Sequence, residues 1–593
     1  MMKIYDAIII GSGAAAYGVA DRLFSEGVTD IAVITENRLA GTSRNTGSDK
    51  QTYYKLSMDG LSCDSPYKMA SDIFAAGCCD GEKMYLQAVN STRCFLRLFD
   101  YGVNFPRDKF GGFPGYKTDH DNTVRATSIG PLTSKVMTEK LENAVAERNG
   151  TPVFDNRQVF EILKNGNKAV GVAALNTQSN IIELFYSHNV VCATGAPACI
   201  YENSVYPESQ HDMTGVLIES GVRLCNYSQW QYGMASVDFR WNVSGSFMQV
   251  VPRFVSVDEN SDEYDFVNGY FDSSEEMCNN IFLKGYQWPF SFERVKKSSG
   301  VDIAVHEEIK KGRKVYLDFT RNPEGFSFES LGEEAREYLE KNGAVGETPI
   351  ERLKTLNPKA IAVYSDHGID ISTEKLRIAV CAQHNNGGVY TDNNYETDVK
   401  NLYVIGEAAG TFGLARPGGT ALNDTQVGGF LCAEHIKNKV LSDFEIPQYD
   451  FGRYNDFVVD NSVDYSYIRT EMSKSAAFLR NNGECVELLS EINGILSDYP
   501  LKHKSLSDYF YDKDMLLSAK ALLETITGEM PETGSRGGAV FIDEGEIVSE
   551  NTAYRKYLTV TDNGKVSFEE TKPVPVFEGS FEMYLKNIQE EAR

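Results

Sequence analysis

The apolar run from Ile4 to Ile10 opens the chain as a short strand of the kind buried on both faces in a parallel sheet. It ends in Gly11-Ser12-Gly13-Ala14-Ala15-Ala16. A helical pattern follows, with Ala16, Val19, Ala20 and Leu23 on one stripe. A second apolar run, Ile31 to Ile34, comes next, and Glu36 and Asn37 lie just past its end. Strand, glycine turn, helix, strand and acid in this order predict a βαβ unit built for a dinucleotide. Gly11 permits the tight turn, Gly13 lets the backbone approach a pyrophosphate at the helix N-terminus, and Ala16 is small where helix meets strand. Glu36 is placed to accept hydrogen bonds from ribose hydroxyls, which favours FAD or NAD over NADP.

The same alternation of apolar runs and glycines returns twice. Ile181 to Cys192 is strand-like and ends in Ala193-Thr194-Gly195-Ala196-Pro197. Leu402 to Ile405 ends in Gly406-Glu407-Ala408-Ala409-Gly410, and a Gly-rich run from Arg416 to Gly429 leads into a helix around Leu431 to Val440. Residues from about 226 to 370 form a mixed, aromatic-rich insert. After Pro447 the period becomes helical, in three stripes: Ile468, Met472, Ala476 and Leu479; Leu488, Leu489, Ile492, Ile495 and Leu496; Met515, Leu516, Ala519 and Leu523. There is no internal repeat and no low-complexity segment.

Composition narrows the function classes. With 593 residues the length prior is about four units or fewer large ones. The 42% hydrophobic and 24% charged content belongs to a packed chain, not a disordered one. A formal charge of −26, from 58 Lys+Arg against 84 Asp+Glu, argues against nucleic acid or an anionic membrane as partner. It also requires any anion site to be built locally from specific cations. The 11 cysteines include no CxxC pair and no CxxCH, which fits reduced thiols and excludes a disulfide framework, iron–sulfur cluster or attached haem. No bound metal is expected. The chain shows no signal peptide and no apolar stretch of about 18 residues, so the expectation is a cytoplasmic protein without a membrane span.

Taken together, the motifs resemble the flavoprotein subunit family of fumarate reductase and succinate dehydrogenase, which also holds L-aspartate oxidases and soluble enoate reductases. The resemblance runs from about residue 5 to 540. Gly11 to Ala15 with Glu36 and Asn37 match the family's adenosine site. Gly41, Thr42, Ser43, Thr46, Gly47 and Ser48 fall in a loop similar to the one along the flavin. Ala193-Thr194-Gly195 matches a second FAD-contacting loop, and Asp212 stands where the family has the aspartate of a Gly-Asp-Gly turn, here flanked by His211 and Met213. Lys314 to Asp318 matches a strand of the capping domain. Glu407, then Gly419, Ala421 and Leu422 of the Arg416-Pro417-Gly418-Gly419-Thr420-Ala421-Leu422 run, match the last FAD motifs, and Gly534-Ser535-Arg536-Gly537-Gly538 resembles the helical-domain signature. The fold implied is α/β: a discontinuous Rossmann-like FAD-binding domain (1–225 and 371–446), an α+β capping domain (226–370) and a C-terminal helical domain (447–593). The family's membrane-bound complexes attach FAD through a histidine in the early loop; Gly41 to Gly47 contains none, so FAD is expected to be noncovalent.

The family's chemistry is hydride transfer between the flavin and a C=C or CH–CH bond polarised by a carboxylate or similar group. Two pieces of its substrate clamp are present. His384 lies in a His-Asn-Asn-Gly-Gly-Val segment, and Arg416 aligns on the arginine that binds a substrate carboxylate. Both are expected to be catalytic. Two pieces are missing. In the Gln-aromatic-His-Pro-Thr segment, Gly233 of Gln231-Tyr232-Gly233-Met234 replaces the histidine. The Arg-Asp pair, whose arginine is the proton donor, reads Val301-Asp302. Arg253, Arg294, Lys296, Lys297 and Tyr232 are the replacement donors at hand. Trp230, Tyr232, Phe239, Trp241 and Phe247 crowd the segment where the clamp stood.

A small dianion needs cations at both ends, since an unpaired buried carboxylate is expensive. The expectation is therefore an FAD-dependent reductase of an enoate- or enone-like small molecule, not of fumarate. Electrons would come from a separate donor, because the chain has no cluster, haem, FMN-attachment or second dinucleotide motif. Two alternatives stand beside it: an amino-acid or amine oxidase of the L-aspartate oxidase type, and an electron-transfer subunit with no small-molecule substrate of its own.

Overall fold

In the computed structural model of the chain, which describes residues 3–60, 62–118, 120–148, 150–439, 445–576 and 585, the first apolar run divides at Asp6. Ile4–Tyr5 pairs in parallel with Ile181–Ser187, in a four-stranded layer completed by Lys168–Asn176 and Arg157–Asn165. Ala7–Ile10 instead enters a five-stranded, all-parallel sheet in the order Leu402–Val404, Val190–Cys192, Ala7–Ile10, Ile31–Ile34, Val153–Phe154. Every residue of Ala7–Ile10 and Ile31–Ile34 is buried, as unbroken apolar strands require. Helices Ala14–Ser25 and Thr420–Asn438 pack on one another. Gly429 allows the close approach, since a β-carbon there would lie 3.1 Å from the Val19 nitrogen. The helix expected to reach Val440 is the second half of Thr420–Asn438, and Val440 itself lies outside the described residues.

The insert forms a six-stranded antiparallel sheet in the order Trp241–Asn242, Trp230–Ser236, Leu376–Asn385, Lys314–Asp318, Arg253–Val257, Glu263–Tyr264. Helices such as Gly300–Lys310 pack against it. Leu376–Asn385 falls in the stretch expected for the cofactor domain, yet it is hydrogen-bonded along its length into this sheet and carries His384 at its end.

The C-terminal part is helical over Tyr467–Ser475, Asn482–Ser497 and Leu506–Thr533. One stripe needs correction: Ala476 and Leu479 lie beyond the first of these helices, because Leu479–Asn481 turns into a strand paired with Val540–Asp543. From Tyr557 to Glu570 the chain is β-structure, not helix. The hairpin of Tyr557–Asp562 and Lys565–Glu570 joins Leu224–Cys225 edge to edge. Long-range pairing outweighs local propensity there. Within this region Arg536 and Glu529 form a buried ion pair at 2.9 Å.

Candidate active site

One cavity of about 420 Å³ lies where the carboxyl ends of the parallel strands meet the cap, the usual location for ligands in such sheets. Every residue singled out from the sequence as cofactor-binding or catalytic lines it, from Gly11 and Glu36 at one end to His384 and Arg416 at the other. The two ends differ in chemistry.

At the first end the backbone makes room for a phosphate-bearing ligand. Gly11 has φ +110°, and a β-carbon on it would lie 2.6 Å from the Ala193 carbonyl oxygen. A β-carbon on Gly13 would lie 3.0 Å from the Ser43 hydroxyl. The helices at Ala14 and Thr420 both start at the cavity, at Gly13 and Gly419, which give no side-chain cap; the Ala14 N–H donates to Ser43 Oγ at 3.1 Å and the Thr420 N–H to the Pro417 carbonyl at 3.2 Å, and the positive ends of both helices face the ligand space. Gln210 accepts from Thr42 through Oε1, while its buried Nε2 has no hydrogen-bond partner. Glu36, expected to meet a ribose, is held by His211, whose Nδ1 lies 2.8 Å from Oε1; the His211 ring packs against Tyr511 at 4.0 Å. Asp212 is buried beside Asp514 and accepts from the Cys199 thiol at 3.1 Å. Burial raises both carboxyls, and their proximity raises Asp514 further. Gln210, His211 and Asp514 were not singled out from the sequence; only the altered flanks of Asp212 marked the region.

At the second end, strand Leu376–Asn385 and the turn before helix Thr420–Asn438 bring His384 and Arg416 together. Arg416 is 6% exposed; its Nε donates to His384 Nδ1 at 3.2 Å and its Nη1 to Thr420 Oγ1 at 3.2 Å. Asn386 Oδ1 lies 3.2 Å from the same His384 nitrogen. Burial first, and then the Arg416 charge, hold the imidazole pKa well below its usual value, so the ring is neutral. When Nδ1 accepts from Arg416 the ring proton sits on Nε2, which is buried, has no hydrogen-bond partner and lies 3.8 Å from Glu407 Oε1. Glu407 accepts from Tyr206 Oη and from the Asn385 N–H, and burial pushes its carboxyl up to about 7. Among the described residues lining the cavity, Arg416 is the one buried guanidinium or ammonium.

The sites of the missing clamp residues are filled. A β-carbon on Gly233 would lie 3.1 Å from the Gln383 amide nitrogen, from Trp288 Cε3 and from the Trp288 carbonyl oxygen. Gln383 is bonded to Asn242 and to the Met234 carbonyl. Asp302 survives without its arginine and pairs instead with Lys284 at 2.7 Å, both fully buried. None of the five replacement donors reaches the cavity. Arg253 is held by Asp265 and Glu263, Tyr232 by Tyr201 and Arg480, and Lys296 and Lys297 are exposed, with Arg294 beside them outside the cavity wall. The expected aromatic crowd is likewise core: Trp230, Tyr232, Trp241 and Phe247 are at most 2% exposed, and none of the five aromatics lines the cavity. Strand Trp230–Ser236 is covered on both faces, which turns these rings inward. The aromatics that the cap does bring to the cavity are Trp288 and Tyr286, from a loop that carries no sequence pattern.

Glycine turns at three parallel-strand ends, helix starts facing the cavity and a neutral histidine beside a buried arginine define a dinucleotide-dependent redox enzyme whose cap closes over the cofactor. The FAD binding domain family matches residues 6–422, and the chain belongs to it. It is a divergent member of the fumarate reductase and succinate dehydrogenase flavoprotein group, and an FAD-dependent oxidoreductase. It is 24% identical over 513 residues to one of the subunits of the fumarate reductase (CoM/CoB) of Methanothermobacter marburgensis, covering 83% of this chain and 84% of that one. It is 23% identical over 445 residues to the L-aspartate oxidase of Clostridium acetobutylicum, covering 73% and 88%. Its fold matches an E. coli quinol fumarate reductase chain with TM-score 0.72 at 18% identity, over 98% of each chain. The first end of the cavity fits FAD. Gly11, Gly13 and the two helix starts suit its pyrophosphate, and the unused Gln210 amide is a donor awaiting an acceptor. No helix among the described residues is long and apolar enough to cross a membrane.

Proposed function

We propose that this enzyme reduces the C=C bond of an enoate or enone bearing a single carboxylate or carbonyl, and that fumarate is not its substrate. FAD, bound noncovalently, would supply hydride to one carbon of the double bond, and the proton on the neighbouring carbon is assigned to solvent water. The chain supplies binding and charge. Arg416 offers a planar fork to the carboxylate or carbonyl oxygen and stabilises the charge that develops there as the double bond is reduced. Neutral His384 donates to the same oxygen from Nε2. The imidazole contributes no positive charge, so the site balances one negative charge and not two.

The observation that carries this reading is the single buried cation at the catalytic end, with Trp288 and the Gln383 amide standing where a second clamp residue would project. Electrons are assigned to a separate donor, a protein or free reduced flavin. A cytoplasmic location is in keeping with eleven cysteines that form no disulfide. The test is anaerobic photoreduction of the holoprotein, followed by reoxidation with enoates, enones, imino acids, fumarate and oxygen. Mono-acid enoates or enones should reoxidise it fastest. Fumarate reacting at a comparable rate overturns the proposal, and rapid reoxidation by oxygen with release of hydrogen peroxide points to an oxidase.

A further inference from the structure

The loop before helix Gly300–Lys310 puts an indole into the space emptied by Gly233. Trp288 is half-buried and lines the cavity, so one face of its ring belongs to the protein and another borders the ligand space. Its backbone is held in a specific way. Lys284 Nζ donates to the Trp288 carbonyl at 2.8 Å and to the Gln287 carbonyl at 3.2 Å, and pairs with Asp302 at 2.7 Å. A buried ammonium that ties two carbonyls to a buried carboxylate fixes the loop. The Phe290 N–H completes the anchoring by donating to the Tyr232 carbonyl at 2.7 Å, next to Gly233. The aspartate of the family's Arg-Asp pair thus holds, through Lys284, the residue that fills the clamp.

We propose that Trp288 is the specificity-determining residue of this enzyme, and that it selects a flat, apolar, preferably aromatic body attached to the one carboxylate or carbonyl held by Arg416. This rests on the reading of the site as that of a mono-acid or enone reductase. A second carboxylate would have to lie against an indole face and neutral amides, unpaired and out of water. A planar unsaturated body instead gains an aromatic surface that Lys284 has already positioned. Gly233 is the permissive partner: any side chain there competes with the indole for the same volume. Lys284 is a positioning residue in this scheme and touches no substrate.

The test measures binding to the oxidised holoprotein by the change in flavin absorbance, with trans-cinnamate and fumarate as probes. Wild type should bind cinnamate at least tenfold more tightly than fumarate. Trp288→Ala should weaken cinnamate at least tenfold and fumarate by less than twofold, so that the preference collapses. Trp288→Leu, which keeps an apolar side chain, is read in its place if the alanine variant loses flavin, and should lose most of the cinnamate preference as well. The inference is overturned if wild type binds the two probes alike, or if the substitution changes both to the same degree or neither. Binding is read without turnover, so the two readings fail separately. Cinnamate binding that depends on Trp288 without reduction of any enoate overturns the proposed reaction alone. Enoate reduction with unaltered preference in the variant overturns this inference alone.

Discussion

Restoring a histidine at position 233 is the most direct perturbation of the rebuilt site. A β-carbon there would sit 3.1 Å from the indole Cε3 of Trp288, from the Trp288 carbonyl oxygen and from the Gln383 amide nitrogen, so an imidazole growing towards the ring fits only if the indole moves. Overpacking of this kind costs about 1–3 kcal/mol. Removing the half-buried indole alone should cost about 2 kcal/mol, below the range for a fully buried Trp→Ala change. If the two side chains compete for one volume, G233H/W288A should cost about 2 kcal/mol, not the 4 or so expected from independent sites. The assay is denaturant unfolding of the four holoproteins, followed by near-UV circular dichroism and by flavin release. Adding G233H to W288A should cost less than half of what G233H costs in the wild-type background. Costs that add to within about 0.5 kcal/mol would refute the shared-volume argument.

Gly11→Ala, at φ +110° and 2.6 Å from the Ala193 carbonyl, should raise the FAD dissociation constant at least tenfold in fluorescence titration of apoprotein, whereas Gly27→Ala, with no neighbour within 4 Å, should leave it unchanged. Glu529→Gln leaves Arg536 as an uncompensated buried charge and should cost about 3–5 kcal/mol in denaturant unfolding, while replacing both with apolar residues of similar volume should cost much less. Glu407 is pushed by burial from 4.5 up to about 7, so its stabilising effect is full below about pH 4.5 and fades as pH rises through 7. Glu407→Gln should remove that loss, on the order of 3 kcal/mol, so its melting temperature relative to wild type should rise between pH 5 and pH 8. Acid precipitation of the holoprotein should leave all the FAD in the supernatant.

The first βαβ unit was legible because its signal is local: four buried positions in a row, a glycine turn and a 3.6-residue period each report on their own neighbourhood. Arg416 and His384 were legible as neighbours at one end of the cavity, since their motifs set backbone geometry around them. The replacements for the lost clamp were not. Trp288 reaches Gly233 from a loop more than fifty residues away, with no periodicity to announce it; of the five nearby cations and hydroxyls proposed instead, Arg253 and Tyr232 are held by local partners such as Asp265 and Tyr201, and Arg294, Lys296 and Lys297 lie outside the cavity wall. The strand Tyr557–Asp562 escaped for a related reason. Its partner, Leu224–Cys225, is too short to be read as a strand and lies over three hundred residues earlier. Glu36 shows the limit of motif reading: its position is as expected, but its partner His211 was noticed only as a departure from the family turn.

The charge of −26 acts differently far from the cavity and inside it. At range it repels dianions approaching in solution, though over no more than about a Debye length at physiological salt. Within the cavity, several of the acids have close partners or are buried together. Glu36 faces His211 at 2.8 Å, burial pushes Glu407 up to about 7, and burial raises Asp212 and Asp514, with Asp212 raising Asp514 further. The catalytic end holds the Arg416 guanidinium beside a neutral imidazole. On the proposed reading, a monoanion entering this site gains one strong charge-assisted pairing with Arg416. A dianion gains the same pairing and must leave its second charge against Trp288 and Gln383, where nothing compensates its lost hydration. On the proposed reading the acidic exterior and the single buried cation of the cavity select in the same direction, and the larger share of the discrimination is assigned to the wall built around Gly233.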